Sequence, residues 1–339
     1  MKQNQSSGDN SINIQAGSIS SGISYRDARD IAIDVYKENI PKFTEIARDV
    51  ALERAMELTD ALLSRIPVEC LEALKDPDIQ RALILAQQEY ACSGEKDLGE
   101  VLTGLLVDRF AAPQKGIKRL ALNEALKTAP KLSANHFSAL SALMLTAQAR
   151  MSFPNIDAMH ERIRAIFLPV CTGLEVSESE IAYLQYTGCI AIQMGNGTIP
   201  GWLSDTYPGA FTTGFTRDQI PENLVEIIDP LLMPCPRSPG NLQIAALGKQ
   251  EAESRAKGLG IQENLAGILS LMNVGLMPGD EIEEEFSAIH PVLREFAALY
   301  SSTSLKHCTL TTIGTTLAYT NLRRAVGDKF NADLDTWVN

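Results

Sequence analysis

Apolar positions recur every three or four residues from Ser24 to Ile66, which predicts a long amphipathic helical segment. The Ser24 hydroxyl can cap the first turn, and Asp27 follows at the spacing of a capping box. Pro41 interrupts the pattern because proline has no backbone N–H to donate, so we predict a kink near it. The segment is therefore expected to form two consecutive helices with one buried face.

The second of these helices carries small and apolar side chains at the alternating spacing of a coiled-coil seam. The pattern lasts for too few heptads to distinguish a self-associating seam from the first helix of an ordinary bundle, and both interpretations stay open. The candidate self-association residues on this helix are Ala47, Ala51, Ala55, Leu58 and Leu62.

The polar tail before this segment, residues 1–23, alternates apolar and polar positions from Ser11 to Ile19, which predicts a short strand. Uncharged strands with Asn and Gln favour stacking of identical copies, because the amide side chains form ladders. The same composition is typical of a disordered tail. The candidate self-association residues in the tail are Ile12, Ile14, Gln15, Gly17 and Ile19.

After Pro67 the apolar pattern returns in short helical lengths that are separated by caps and breakers. Ser133 is expected to cap a strongly apolar, deeply buried helix over 134–150, and Ser177 with Glu180 forms a capping box for a helix over 178–191. The fold class is therefore predicted to be mainly α, as a multi-helical bundle or an irregular helical array.

Glycine and proline crowd residues 195–240, too densely for long helices, so this region is predicted to consist of loops and short elements. We place a boundary at its end, between a helical body over 67–240 and a C-terminal helical region over 241–339. That last region is expected to contain one long helix over 305–326 and to dock Trp337 back on the body.

Loops on a helical scaffold, such as those predicted in the irregular region, can form a pocket. The candidate ligand-binding residues are Cys189, Asp205, Tyr207 and Arg217.

Charge and composition narrow the function classes. The 339 residues carry a formal net charge of −12, which argues against a nucleic-acid partner, because such binding depends on cationic side chains at phosphates. Small basic groups, such as the one around Lys118 and Arg119 or the pair Arg323 and Arg324, are interpreted as solvated helix faces. No apolar run reaches the roughly 18 residues of a membrane span, and no export segment is expected at the N-terminus.

Chemistry-bearing residues show no converging pattern. The 6 cysteines and 4 histidines are scattered without the spacing of a zinc site, so we expect no metal, no cofactor and a reducing, cytoplasmic setting. His307 and Cys308 are adjacent, and on a helix they would point about 100° apart, too far for a catalytic dyad. No catalytic residues are assigned, and an enzyme is not the favoured interpretation.

Several stretches resemble a bacterial protein family of similar length for which no activity is established. The likeness covers nearly the whole chain. The stretches include Gly8-Asp9-Asn10-Ser11, Ile14-Gln15-Ala16-Gly17, Ser24-Tyr25, Lys96-Asp97-Leu98-Gly99, Leu105-Leu106-Val107-Asp108-Arg109, Thr128-Ala129-Pro130-Lys131-Leu132 and Tyr186-Thr187-Gly188-Cys189. The tail and first helix resemble leaders of bacterial proteins from mobile or defence-related genomic regions, and Ile14-Gln15-Ala16-Gly17 resembles the core of short amyloid signalling motifs. The resemblance implies no catalytic residues.

Three functions follow as hypotheses. The first is a self-associating interaction or scaffold protein in bacterial phage defence or conflict, whose expected partner is another copy of the same chain. The second is a ligand sensor or enzyme with a pocket in the irregular region over 189–241. The third is a helical adaptor that binds another protein.

Overall fold

The computed structural model describes residues 23–38, 44–113, 115–193, 195 and 197–338. In this part of the chain the fold is mainly α-helical, as the sequence predicts. The predicted tail strand and the predicted kink near Pro41 lie outside the described residues. The helices are α1 (Tyr25–Glu38), α2 (Glu45–Leu63), α3 (Pro77–Ser93), α4 (Lys96–Ala111), α5 (Ile117–Thr128), α6 (Ala134–Ala147), α7 (Ile156–Cys171), α8 (Glu178–Tyr186), α9 (Ile199–Thr206), α10 (Lys249–Gly258), α11 (Leu265–Met272), α12 (Gly279–Ile289), α13 (Pro291–Ser302) and α14 (Thr312–Val326).

Short strands form two antiparallel pairs within the described residues. β1 (Ile190–Ile192) pairs with β4 (Cys308–Leu310), and β2 (Leu232–Pro234) pairs with β3 (Leu242–Ile244). Short 3-10 helices connect many of the longer elements, among them Val68–Lys75, Ser304–His307 and Leu334–Thr336. None of the helices in the described ranges combines the length and the apolar run that a membrane crossing requires.

Local capping explains where several helices begin. Ser133 Oγ accepts a hydrogen bond from His136 N at 3.4 Å and starts α6. The predicted capping box of α8 is confirmed, since Ser177 N donates to Glu180 Oε2 at 2.7 Å and Glu180 N donates to Ser177 Oγ at 3.3 Å. The predicted end of this helix at residue 191 is wrong. Gly188 has a φ of 74°, which turns the chain out of the helix and into β1.

The main core lies around α6 and α14, which pack along each other. Ser141 of α6 donates to Ala318 O at 3.2 Å and accepts from Asn321 Nδ2 at 2.9 Å. All three residues are buried, so the polar groups between the two helices satisfy one another. Most of α6 is buried, in agreement with the sequence prediction.

The predicted single helix over 305–326 is wrong in its first third. A 3-10 turn, Ser304–His307, leads into β4, and α14 begins only after Thr311, whose Oγ1 accepts from Gly314 N at 3.1 Å. Thr309 and Thr311 are β-branched residues that favour extended backbone, and β1 offers β4 a pairing partner. Strand pairing from a distant part of the sequence therefore outweighs the local helical spacing.

A second, smaller core lies beneath the irregular region. Phe215, Leu224 and Ile244 belong to it, together with Ala252 of α10 and Ile268 of α11. Because β2 and β3 pair on either side of residue 240, the predicted boundary at 240 and 241 falls inside one hairpin. The irregular region and the first two C-terminal helices therefore share one core.

The end of the chain packs on the body, as predicted. The rings of Trp337 and Phe330 stack with centroids 6.0 Å apart, and Trp337 lies 6.1 Å from Tyr319 of α14. Val338 is buried beside them.

Candidate functional site

The structure places the predicted seam of α2 inside its own chain. Ala51, Ala55, Leu58 and Leu62 are each at most 3% exposed, and α2 packs against α1 and α3. The small side chains allow this close approach, and Tyr36 Oη of α1 lies 3.5 Å from Ala51 O. A second copy of the chain cannot reach these four residues while the fold is intact. Among the predicted residues of α2, Ala47 is exposed, and those of the tail lie outside the described residues.

The four predicted ligand-binding residues do not come together in one site. Cys189 and Tyr207 are buried, and the Tyr207 hydroxyl accepts a hydrogen bond from Met151 N at 3.1 Å. Arg217 is exposed and pairs with Asp229, with 3.0 Å between Nη1 and Oδ1. Asp205 is also exposed and lines an open cleft. Of the four residues predicted from the sequence, Asp205 lines this cleft. Cys189, Tyr207 and Arg217 lie outside it.

This cleft, which we call the α6–α9 cleft, has a volume of about 440 Å³. Its walls are the end of α6, the chain that leads into α9, α9 itself, and the segment that ends in β4. Side chains with polar groups dominate the lining, and Trp202 supplies the largest apolar surface. The polar lining includes Arg150, Gln193, Thr198, Asp205, Lys306 and His307.

Backbone contacts hold the two irregular walls of the cleft together. Gly197 N donates to Lys306 O at 3.1 Å, and His307 Nδ1 lies in hydrogen-bond contact with Gly195 O. A Cβ at residue 197 would lie 2.8 Å from Lys306 O and 2.9 Å from Tyr300 Oη, so only glycine allows this approach. Thr198 then caps α9 by accepting from Gly201 N at 3.0 Å.

Two cations of the α6–α9 cleft have no carboxylate partner among the described residues. Arg150 donates to Ala149 O at 2.9 Å and to Ala147 O at 3.2 Å, and Lys306 Nζ donates to Ser301 O at 2.6 Å. The one carboxylate in the lining, Asp205, lies 3.8 Å from Lys249 Nζ. The cleft is therefore locally cationic in a chain of net charge −12.

Trp202 forms the apolar wall. Its ring packs on Phe167, with centroids 5.8 Å apart, and on Phe286, with centroids 6.3 Å apart. Its indole Nε1 is buried and has no hydrogen-bond partner among the described residues.

Cys308, which belongs to the lining of the cleft, is not activated as a nucleophile. Burial raises the pKa of the Cys308 thiol to about 11, so the thiol is protonated at neutral pH. Burial also raises the pKa of the Cys189 thiol. Across the described ranges, no three His, Cys, Asp or Glu side chains are grouped as metal ligands. The arrangement can bind a ligand, and no catalytic group is evident among these residues.

One protein-family model, described as ":-like", matches residues 22–338. The chain belongs to this family. Its description names no activity, ligand or partner, so the family adds no functional residues to those found from the structure. A search of curated proteins and a search of solved structures each found no match to the chain.

The sequence does not predict a second cleft in the structure. All of this cleft lies within the residues that match the family. This C-terminal cleft has a volume of about 650 Å³, and Asp108, Lys118 and Arg323 line it. Arg323 Nη1 lies 2.9 Å from Asp108 Oδ1, and Lys118 Nζ lies 2.7 Å from Asp335 Oδ1. Burial raises the pKa of Asp108. The sequence predicts Lys118 and Arg323 on separate solvated helix faces, because no local spacing connects two residues on distant helices.

Proposed function

We propose that the protein binds a small anionic organic ligand in the α6–α9 cleft and acts as a ligand sensor. The observation that carries the proposal is the presence of Arg150 and Lys306, which form no salt bridge with a described residue, in the lining of one cleft of about 440 Å³. Clefts of this size are typical of small-molecule sites.

The chemistry of the lining indicates the ligand class. An arginine guanidinium matches the planar geometry of a carboxylate or a phosphate, and a lysine ammonium adds a second positive charge. Trp202 offers an apolar surface for the organic part of the ligand. Asp205 can accept hydrogen bonds from hydroxyl or amino groups on the same molecule.

Calorimetric titration with citrate, pyrophosphate and adenosine monophosphate tests the proposal, because the three probes differ in charge and in their apolar part. Arg150→Gln and Lys306→Gln are expected to weaken binding of the best probe by roughly tenfold or more each, from the loss of a charged hydrogen bond. Arg162→Gln and Lys257→Gln change exposed cations outside the cleft and serve as matched controls. Absence of binding of every probe, or equal losses in the cleft and control variants, would contradict the proposal.

Self-association is a second candidate, and the exposed start of α2 favours it. Ile46 is 80% exposed and Val50 is 42% exposed, one turn apart on the same face, and Ala47 lies beside them. Residues 44–50 are all exposed, so this end of α2 is accessible to another copy of the chain. The uncharged, strand-forming pattern over residues 11–19 gives a further segment that favours identical copies.

Light scattering distinguishes these two contributions to self-association. We expect an oligomer for the full chain, a smaller mass for Ile46→Lys, and a smaller mass for a chain that starts at Ser24. A monomer for the full chain at all concentrations would remove the self-association proposal and would leave the ligand proposal untouched.

The wider role that we propose is in bacterial phage defence, in the cytoplasm. All six cysteines are free thiols, which supports a reducing compartment. The resemblance of the tail and first helix to leaders of defence-related proteins supports the role. A plaque assay on bacteria with and without the gene tests it, and equal plaque numbers for a broad set of phages would count against it.

A further inference from the structure

A second group of cations lies between α3 and α5, away from the α6–α9 cleft. Arg109 of α4 is 2% exposed and contacts Asp78, Arg119 contacts the same carboxylate, and Arg81 lines the same cavity as Asp78 and Arg119. Lys127 completes the group and pairs with Glu124 at 2.7 Å. Four cations and two carboxylates thus lie at this place, although the whole chain has a net charge of −12.

Several donors of this group converge on Asp78. Its Oδ2 accepts from Arg109 Nη2, from Arg119 Nη1 at 3.0 Å and from Asn123 Nδ2 at 3.3 Å. A carboxylate oxygen offers about two lone pairs, so three donors crowd this one atom. Asn123 Oδ1 accepts from Arg109 Nε at 2.9 Å. Arg119 Nε and the guanidinium of Arg81 are not among the donors to these two acceptors.

Two further donors have no partner among the residues that the structure describes. Arg119 Nε is buried and makes no hydrogen bond with any of them. Arg81 is exposed and makes no salt bridge with a described residue, although it lines the same cavity as Arg119. Unpaired buried polar groups are rare in folded proteins and indicate a missing water, ion or ligand group.

The cavity between these side chains, which we call the α3–α5 cleft, has a volume of about 200 Å³. Leu85 and Leu120 form its apolar edge. We propose that the α3–α5 cleft binds a phosphate-sized oxyanion, held by Arg81 and Arg119. The oxyanion supplies acceptors to the guanidinium N–H groups of Arg81 and Arg119 that are not bonded to Asp78, and arginine is the side chain that best matches phosphate geometry. This site is separate from the α6–α9 cleft and does not depend on the function proposed for it.

Inorganic phosphate is the probe for the test, with the full-length protein. In the calorimetric titration, sodium phosphate is added to the protein, and sodium chloride of equal ionic strength is added as the reference. Thermal unfolding is measured in the same two salts. We expect saturable binding of phosphate and a rise in melting temperature that follows the occupancy of the site. Arg81→Gln is expected to weaken phosphate binding by roughly tenfold or more, because it removes one charged hydrogen bond.

Variants distinguish a loss of phosphate binding in the α3–α5 cleft from a loss of folding and from binding elsewhere. Arg81 is exposed and unpaired, so Arg81→Gln is expected to fold normally, and Arg81→Lys is expected to retain part of the affinity because it keeps the charge. Arg162→Gln is the control for the loss of an exposed arginine elsewhere, and Arg150→Gln excludes binding in the α6–α9 cleft. Equal phosphate affinities for the wild type and Arg81→Gln would overturn the proposal. So would a loss of binding in Arg150→Gln with none in Arg81→Gln, or unfolding curves that are identical in phosphate and chloride.

Discussion

Arg237 and Glu285 form a partly buried salt bridge, with 2.7 Å between Nη2 and Oε1. His160 Nε2 lies 2.9 Å from the same carboxylate oxygen, and Arg237 Nε donates to Ala210 O at 2.6 Å. The guanidinium also lies over the ring of Phe211, 5.5 Å from its centroid. These contacts connect the irregular region to α7 and α12 through one carboxylate.

This arrangement predicts a dependence of stability on pH. Burial raises the pKa of Glu285, but hydrogen bonds from His160 and Arg237 outweigh burial and lower the pKa from 4.5 to about 2. A carboxyl group with a lowered pKa in the fold stabilises the fold above its unfolded pKa, and this stabilisation disappears as the pH falls from 4.5 towards about 2. The full contribution is about 3 kcal/mol.

Urea unfolding of the wild type and Glu285→Gln, measured from neutral pH down through this range, checks the prediction. The variant is expected to be less stable at neutral pH, and the difference from the wild type is expected to shrink on acidification. Glu253→Gln, at an exposed position of α10, serves as the control. Parallel pH profiles for the wild type and Glu285→Gln would show that this carboxyl group has no such role.

Tyr207 is predicted to stabilise the wall of the α6–α9 cleft through its hydroxyl. The side chain is 1% exposed, and Oη accepts from Met151 N at 3.1 Å. Tyr207→Phe leaves that part-buried N–H without its side-chain acceptor, which is expected to cost about 1 kcal/mol in the free energy of unfolding. Tyr186→Phe, at a side chain that is 84% exposed, should leave stability unchanged. Chemical denaturation of both variants compares them directly, and equal stability would refute this role.

The parts of the fold that follow from neighbouring residues could be predicted from the sequence. Ser133 and the pair Ser177 and Glu180 cap their helices as predicted, because each cap depends on groups three residues apart. β4 could not be predicted, since its extended backbone depends on pairing with β1, which lies more than a hundred residues earlier. The buried face of α2 could be read from spacing, whereas its partner, α1 and α3 of the same chain, could not.

The candidate sites also combine residues that the local sequence predicts with residues that it does not predict. Asp205 lies in the region whose glycines and prolines predicted a pocket. Arg150 and Lys306 are the cations of that pocket, and nothing local marks them. Arg150 follows the end of α6, and Lys306 lies in the 3-10 turn Ser304–His307, so the two come from either side of the irregular region in the sequence. Arg119 was assigned to a solvated face, because its contact with Asp78 crosses 41 positions of the chain. A salt bridge between helices that are far apart in the chain leaves no periodic pattern in the sequence.

Gly314 is predicted to be intolerant of any side chain. A Cβ at this position would overlap Cys189 O, a backbone atom that cannot move away alone, because α14 begins directly against β1. Gly314→Ala is expected to destabilise the fold by about 1–3 kcal/mol or more through overpacking. Gly258→Ala, where an added Cβ meets no atom within 4 Å, is expected to change stability by no more than about 1 kcal/mol. Thermal unfolding of the two variants tests the contrast, and a Gly314→Ala protein as stable as Gly258→Ala would contradict the close approach.

Leu58 and Ile46 of α2 are predicted to report on different surfaces of the helix. Leu58 is 2% exposed in the core of its own chain, so Leu58→Ala is expected to cost about 2–5 kcal/mol at every protein concentration. Ile46 is 80% exposed, so Ile46→Ala should leave the stability of the subunit unchanged. Thermal unfolding over a wide range of protein concentrations separates the two cases, because an interface between copies makes the melting temperature depend on concentration. If the cost of Leu58→Ala fell as the protein was diluted, the buried face of α2 would have to contact a second chain, and its assignment to the subunit core would be wrong.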